Sequence, residues 1–387
     1  MPDPIFVQHA DLDPDEFRNC CARTTVIEEY PLASGLQHNV VVYTGERFRD
    51  GARNSRACLT LKTELHRCLK DGPGVLVVRN AFADTEVIDV ATGIFNDIIL
   101  KEKELAQHRG DHFANPGEND RVWNALQKFC EHDATAFLDY YANPVLGIMS
   151  ESWLGPCFQM TSQVNIVKPG GQAQKPHRDY HLGFQNDSVV CEYPLSVQVA
   201  SQYLTLQGAV AHSEMSVDSG PTKVLPFSHQ YCPGYLAWRN LEFQKYFEEH
   251  SVQISLMKGD ALFFSPAVFH AAGANTTRVD RVANLLQVSV AFGKTMETID
   301  WPGITKLVYP VLLKRYETAE PNLDFMRWLG GSIAEGYSFP TNLDSDPPIE
   351  GSAPVSIQQL MTRCLRDRTP VRDFNAAVDA SVRRRMA

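Results

Sequence analysis

Hydrophobic positions repeat with two different periods along this chain. In the first 150 residues, Gly74-Val75-Leu76-Val77-Val78 follows the turn Asp71-Gly72-Pro73 and predicts a buried strand. Asp84-Thr85-Glu86, followed by Val87, Val90, Ala91, Ile94 and Phe95, predicts a capped amphipathic helix. A second helix is expected to start near Asp120 and run through Trp123, Leu126, Phe129 and Cys130. From about residue 158 the texture changes to runs rich in Val, Phe, Tyr and Thr, broken by Gly, Pro and Asn: QMTSQVNIV, PLSVQVASQYLTLQ, TKVLPF, VQISLM, DALFFSP and VANLLQVSVAF. These runs predict the strands of a sandwich or barrel, so the fold is expected to be mainly β with surrounding helices. Beyond residue 301 the pattern turns helical and then Pro/Ser/Asp-rich at NLDSDPPIEGSAP, which predicts a helix, a loop and a terminal helix. The expected organisation is one domain over residues 1–300, with a core at about 155–295 and a mixed helical shell at 1–150, followed by a C-terminal extension over 301–387.

Composition narrows the choice of function. At 387 residues and 44% hydrophobic, the chain can bury a large core. Its 36 Lys plus Arg face 46 Asp plus Glu, a net charge of −10, which argues against nucleic acid or an anionic membrane surface as partner. The basic run Arg383-Arg384-Arg385 reads as a solvated tail. Nine cysteines without a C-x-x-C pair argue against a disulfide scaffold or a thiolate zinc site, and point to a reducing, cytoplasmic setting. No signal peptide or membrane span is expected.

The candidate chemistry lies in QKPHRDYHLGF, residues 174–184. If this run is extended, His177, Asp179 and His181 share one face, where a metal could be held. A second histidine from a distant strand strengthens that reading, and FFSPAVFHAAGANTT places His270 between an apolar strand and a tight Ala-Ala-Gly-Ala-Asn stretch. Two imidazoles and a carboxylate make a facial triad, suited to non-haem Fe(II) with coordination positions left open, although zinc hydrolases use similar ligands. Electrons for oxygen chemistry commonly come from a 2-oxo acid, whose far carboxylate needs a cation. Arg281 heads RVANLLQVSVAF, where alternation puts Arg281, Ala283, Leu285, Gln287 and Ser289 on one face and Val282, Leu286, Val288 and Val290 on the other. Its planar fork suits a carboxylate better than a point charge would. Arg278 is the rival for that role.

With these motifs assembled, the chain resembles the phytanoyl-CoA dioxygenase-like family of Fe(II)/2-oxoglutarate oxygenases. The resemblance rests on His177-x-Asp179, His270 and Arg281, together with MSVDSGPTKVLPFSH and KGDALFFSPAVFHAAGANTT, and is clearest over residues 158–293. It implies a double-stranded β-helix, a cupin-like jelly roll, with His177, Asp179 and His270 holding iron and Arg281 binding 2-oxoglutarate. Gln174 and Thr222 match polar positions that help hold the co-substrate in relatives. Thr222 follows Ser219-Gly220-Pro221 where many relatives have Asn-Gly-Ala, and Phe227 replaces the usual Gly of a Pro-Gly-Ser-His turn, a change expected to alter loop shape more than metal chemistry. The implied reaction uses O2 to decarboxylate 2-oxoglutarate to succinate and CO2 while oxidising a C–H bond of a small-molecule substrate. Hydroxylation is the favoured outcome. Asp179 counts against halogenation, because relatives that halogenate carry a small residue there; desaturation, cyclisation and epoxidation stay open.

Other residues are weighed more evenly. GDHFANPGENDRVWNAL, residues 110–126, gathers His112, Arg121 and Trp123 into a candidate substrate-facing lid, against the simpler reading that Asp120 caps a helix and Trp123 is core. His181 is either pocket lining or structural, His212 and His229 read as structural, and Tyr180 and Tyr203 as candidate pocket wall. A cupin-like metal-dependent hydrolase or isomerase without 2-oxoglutarate is the alternative; Arg281 on a polar strand face argues against it. The substrate is expected to be a small metabolite, with natural-product biosynthesis one setting. The C-terminal extension packs either on its own domain or on a second copy in a homodimer; the sequence leaves both open.

Overall fold

The computed structural model describes residues 4–105, 117–318, 324–348 and 351–386, without the side chains of residues 324 and 325. The strands are β1 (Gly35–Gln37), β2 (Val40–Thr44), β3 (Val75–Arg79), β4 (Asn119–Val122), β5 (Gln159–Val167), β6 (Thr205–Ala211), β7 (Lys223–Val224), β8 (Val252–Gln253), β9 (Ala261–Phe264), β10 (His270–Ala271) and β11 (Arg281–Ser289). Eight form one sheet in the order β1-β2-β3-β9-β6-β11-β5-β4, and a smaller sheet runs β10-β7-β8. Among the described residues, the β2–β3 pair is the one parallel pair of the large sheet.

Alternation along the strands divides the core in two. On β3, Val75 and Val77 join an apolar cluster with Ala211, Val224, Leu262, Phe264 and Ala283, while Leu76 and Val78 join the larger cluster with the helices. On β11, Leu286 and Val288 face that helical layer and Ala283 faces the other way, the split expected from the sequence. The helices Ser55–Lys70, Glu86–Glu104, Pro144–Leu154 and Trp301–Thr318 supply much of the larger cluster.

Helix accounts for 47% and strand for 15%, so the expectation of a mainly β protein is corrected: a large mixed sheet is cased in helix. Two stretches differ from their expected form. PLSVQVASQYLTLQ begins as a helix, Leu195–Ser201, and becomes strand only at Thr205. Its buried Gln198 donates to the carbonyls of Val190 and Tyr193 at 3.2 and 3.0 Å, tying that helix to the preceding segment. Near Asp120 the expected helix is instead β4, paired to β5 through Arg121↔Asn165. Asn124, at φ +55°, then turns the chain, and the helix starts at Ala125. The helix Glu86–Glu104 forms as expected, but its buried stripe runs through Ile88, Ala91, Phe95 and Ile98, leaving Val90 53% exposed.

C-terminal to residue 301, helices Trp301–Thr318 and Asp324–Ile333 are followed by a loop and helices Ile357–Arg366 and Val371–Arg385, so the extension is richer in helix than expected. Ile304, Val308, Tyr309, Met361 and Phe374 from this region are all buried in the large cluster. Phe374 lies flat on Tyr309, with ring centroids 3.7 Å apart at 13°. Replacing Phe374 by Ala is expected to cost about 3–5 kcal/mol, as for large-to-small core changes. Urea unfolding checks this, and a single cooperative transition at a lower midpoint is the expected result.

Candidate metal centre

The segment before His177 runs alongside β10, and residues 177 and 270 exchange both backbone hydrogen bonds, His177 N to His270 O at 3.0 Å and His270 N to His177 O at 3.1 Å. The two imidazoles therefore stand side by side, with ring centroids 4.5 Å apart. Each ring is oriented by its own neighbourhood: His177 Nδ1 pairs with the carbonyl of Lys175 at 2.9 Å, and His270 Nδ1 with that of Val268 at 2.8 Å. A carbonyl can only accept, so Nδ1–H donates in both rings and Nε2 is the atom that each ring turns toward the carboxylate. Both Nε2 atoms face Asp179, at 3.5 Å from Oδ1 for His177 and 3.4 Å from Oδ2 for His270. One ligand atom from each of the three lies within 4.8 Å of the others.

Burial raises the Asp179 carboxyl, but His177, His270 and a hydrogen bond from Gln207 outweigh it and hold the group ionised well below the usual carboxylate range. Burial lowers the His177 imidazole, against the pull of Asp179. Two imidazole Nε2 atoms and one carboxylate converging on a common point are a donor set suited to a divalent first-row metal.

The three groups open onto a cavity of about 480 Å³ between the sheets, whose wall also includes Arg281, Gln174, Thr222 and Arg121. Arg281 is buried, donates from Nη1 to the carbonyls of Ser219 and Gly273 at 3.2 and 3.3 Å, and has no carboxylate partner among the described residues. Burial pushes its guanidinium down to about 10. Arg278, the rival, is exposed and outside the cavity wall. Gln174 pairs with the strand ahead of it, accepting at Oε1 from Ala272 N at 3.2 Å. At another part of the wall, Arg121 Nη1 donates to Gln163 Oε1 at 3.2 Å, and Gln163 Nε2 donates to Glu297 at 3.3 Å.

Some expected residues stand elsewhere. The extended run ends at Asp179, because Tyr180 and His181 take φ of +65° and +42° and lead into a 3-10 turn, His181–Phe184. His181 therefore leaves the ligand face and is not in the cavity wall. Trp123 lies behind Arg121, its ring centroid 4.9 Å from the guanidinium carbon, and does not line the cavity. Residues 119–122 of the expected lid are the paired strand β4, and His112 lies outside the described residues. Tyr180 and Tyr203 are absent from the wall; Tyr203 stacks on Trp153 at 5.3 Å. His212 is held between Thr92 and Tyr140, and His229 against the carbonyl of Lys70. Phe227 sits at φ +67°, keeping the left-handed turn that a glycine occupies without strain.

The sequence profile of the phytanoyl-CoA dioxygenase (PhyH) family matches residues 49–283, beginning well before the region where the resemblance was clearest. This chain belongs to the phytanoyl-CoA dioxygenase family. An uncharacterized Saccharomyces cerevisiae protein, YJR154W, is 32% identical over 90 residues, 23% of this chain and 24% of that protein. The match thus spans about a quarter of its length. Among solved structures, the non-heme alpha ketoglutarate dependent carbocyclase SnoK from nogalamycin biosynthesis is 17% identical with a TM-score of 0.42, covering 60% of this chain and 86% of its own. The epimerase SnoN, solved with Fe3+, alpha ketoglutarate and nogalamycin RO, is 16% identical with a TM-score of 0.39, covering 62% and 85%. HygX from Streptomyces hygroscopicus, with nickel and 2-oxoglutarate bound, is 14% identical with a TM-score of 0.38, covering 59% and 88%.

Two residues of this family member's site were not singled out from the sequence. Gln207 on β6 donates from Nε2 to Asp179 Oδ2 at 2.6 Å; only the β6–β11 register, unknown beforehand, brings it there. Arg178, between the two candidate ligands, points the opposite way and is fully buried. Its Nη2 donates to the carbonyls of Ser228 and Tyr231 at 2.8 and 2.9 Å, and its guanidinium carbon lies 5.3 Å from the ring centroids of both Tyr235 and Phe269. Alternation alone could have flagged it, since a residue between two inward groups faces the other side.

A Cβ on Gly234 would lie 1.9 Å from the Arg178 guanidinium carbon. Gly234→Ala is therefore expected to destabilise the protein by about 1–3 kcal/mol and to weaken divalent-metal binding, as read by urea unfolding and metal titration. His212 gives a pH test. Burial lowers its imidazole from the ordinary 6.5 to about 3, so between those values the unfolded chain binds more protons. Its contribution is complete above about pH 6.5 and falls by about 1.4 kcal/mol per unit toward pH 3. Unfolding free energies at pH 7 and 5 are expected to differ less in His212→Gln than in the native protein.

Proposed function

We propose that this protein is a non-haem iron, 2-oxoglutarate-dependent dioxygenase that oxidises, most simply by hydroxylation, a C–H bond of a small-molecule metabolite. Family membership and the His177–Asp179–His270 arrangement support the general kind of reaction. The observation that carries the co-substrate is Arg281: a buried guanidinium without a carboxylate partner among the described residues, in the same cavity as the three candidate ligands. Leaving a charge so buried is costly unless an anion completes it.

Fe(II), held by His177 Nε2, His270 Nε2 and Asp179, would supply the chemistry by which O2 decarboxylates 2-oxoglutarate to succinate and CO2 and the substrate C–H bond is oxidised. The chain itself does the positioning. Lys175 and Val268 carbonyls fix the ring orientations, Arg281 anchors the far carboxylate of 2-oxoglutarate, and Gln174 and Thr222 border it. Arg121 and Gln163 present polar groups to the substrate, and the cavity wall limits its size. Asp179 occupies the position that a halide would need, which favours oxygen transfer. Residues 1–300 are read as the catalytic domain around a double-stranded β-helix formed by the two facing sheets, with 301–387 as its helical extension. Among the described residues no helix is long and apolar enough to cross a membrane, and all nine cysteines are free thiols, as suits a cytoplasmic protein.

Succinate release from 2-oxoglutarate tests this reading. The native protein with Fe(II) is expected to form succinate only when O2 is admitted. Arg281→Ala is expected to raise the 2-oxoglutarate concentration needed by on the order of 30-fold or more, as for loss of one partner of a buried charge pair. Asp179→Ala is expected to lose metal binding. Native protein that binds metal yet forms no succinate would instead support the metal-dependent hydrolase or isomerase.

A further inference from the structure

Gln207 makes the shortest contact to the candidate ligands, Nε2 to Asp179 Oδ2 at 2.6 Å, from a side chain only 5% exposed. Donating that hydrogen bond fixes the amide, and its Oε1 is left buried without a partner among the described residues. Gln287 is its direct neighbour across the β6–β11 ladder, similarly buried, with Oε1 also unpartnered. Side chains directly opposite on antiparallel strands are within reach of one another. A half-turn of the Gln287 amide would exchange its oxygen for its NH2 and so turn a donor toward its cross-strand neighbour Gln207.

We propose that Gln207 is a positioning residue for Asp179, supported by Gln287 in an amide relay that runs Gln287 to Gln207 to the carboxylate. The inference rests on reading the centre as an iron and 2-oxoglutarate site. With Oδ2 held by an amide N–H, Oδ1 would be the oxygen left to ligate a metal. Coordination positions then stay open for 2-oxoglutarate and O2. Glutamine suits the task because it donates to the carboxylate on one side while accepting on the other, which an apolar residue cannot do.

The test compares native protein with Gln207→Leu, Gln207→Asn and Gln287→Leu. Asn keeps an amide on a shorter stem, so it guards against a Leu variant that fails to fold. Fe(II) affinity is measured by anaerobic titration, the visible charge-transfer band is recorded with Fe(II) and 2-oxoglutarate, and urea unfolding of the metal-free proteins controls for stability. Both Gln207 variants are expected to bind Fe(II) roughly 10- to 100-fold more weakly and to shift the band, with metal-free stability too little changed to account for it. Gln287→Leu is expected to move both readings in the same direction by less. Folded Gln207 variants with native affinity and an unmoved band would overturn the positioning role while leaving the oxygenase reading intact. Native protein that binds Fe(II) but gives no band with 2-oxoglutarate would overturn the oxygenase reading and this inference with it.

Discussion

Two histidines far apart in the sequence exchange both of their backbone hydrogen bonds, and the cavity's chemistry depends on that exchange. It fixes the His177 segment against β10, sets the imidazoles beside each other, and places Asp179, two residues along the same face, between their Nε2 atoms. Neither ring needs a distant partner to hold its tautomer, because each Nδ1 bonds a carbonyl two residues away in its own segment. The large sheet and its helical casing keep these two segments in register. A slip of the His177 segment by one residue would turn both His177 and Asp179 away from His270.

Charge is the second constraint. The fold buries three guanidiniums, Arg121, Arg178 and Arg281, and largely covers the Asp179 carboxylate around the His177–Asp179 segment and the nearby cavity, an expense that a structure without a ligand to bind would gain little by keeping. Arg178 and Arg281 bear it differently. Arg178 is sealed against Gly234, two carbonyls and two rings, so it anchors the ligand segment from behind. Arg281 meets only carbonyls among the described residues and borders the open cavity, where an anionic co-substrate can reach it.

Much of this was legible in the sequence wherever periodicity and burial agree. QMTSQVNIV is β5 to the residue, the two faces of β11 follow its alternation, and H-x-D with a remote histidine beside a small-residue turn meets at one point. Periodicity failed where a short apolar run had two solutions. Leu195–Ser201 contains strand-forming valines but is helical, with Gln198 tied to the carbonyls of Val190 and Tyr193, and Asn119–Val122 looks like a helix start but pairs with an available edge of β5. His181 followed the alternation only on paper, since two consecutive positive φ angles break the strand directly after Asp179. Gln207 could not be read at all, because nothing in its own segment says which strand will lie opposite or which carboxylate will come within 2.6 Å.

A metal and a dicarboxylate are expected to bind together where His177, Asp179, His270 and Arg281 line one cavity. Crystals grown without oxygen and soaked with Fe(II) and 2-oxoglutarate would test it most directly, with anomalous scattering at the iron edge locating the metal. One strong peak bonded to both Nε2 atoms and an Asp179 oxygen is expected, with the far carboxylate of 2-oxoglutarate on the Arg281 guanidinium. An iron peak elsewhere, or 2-oxoglutarate bound away from Arg281, would contradict it.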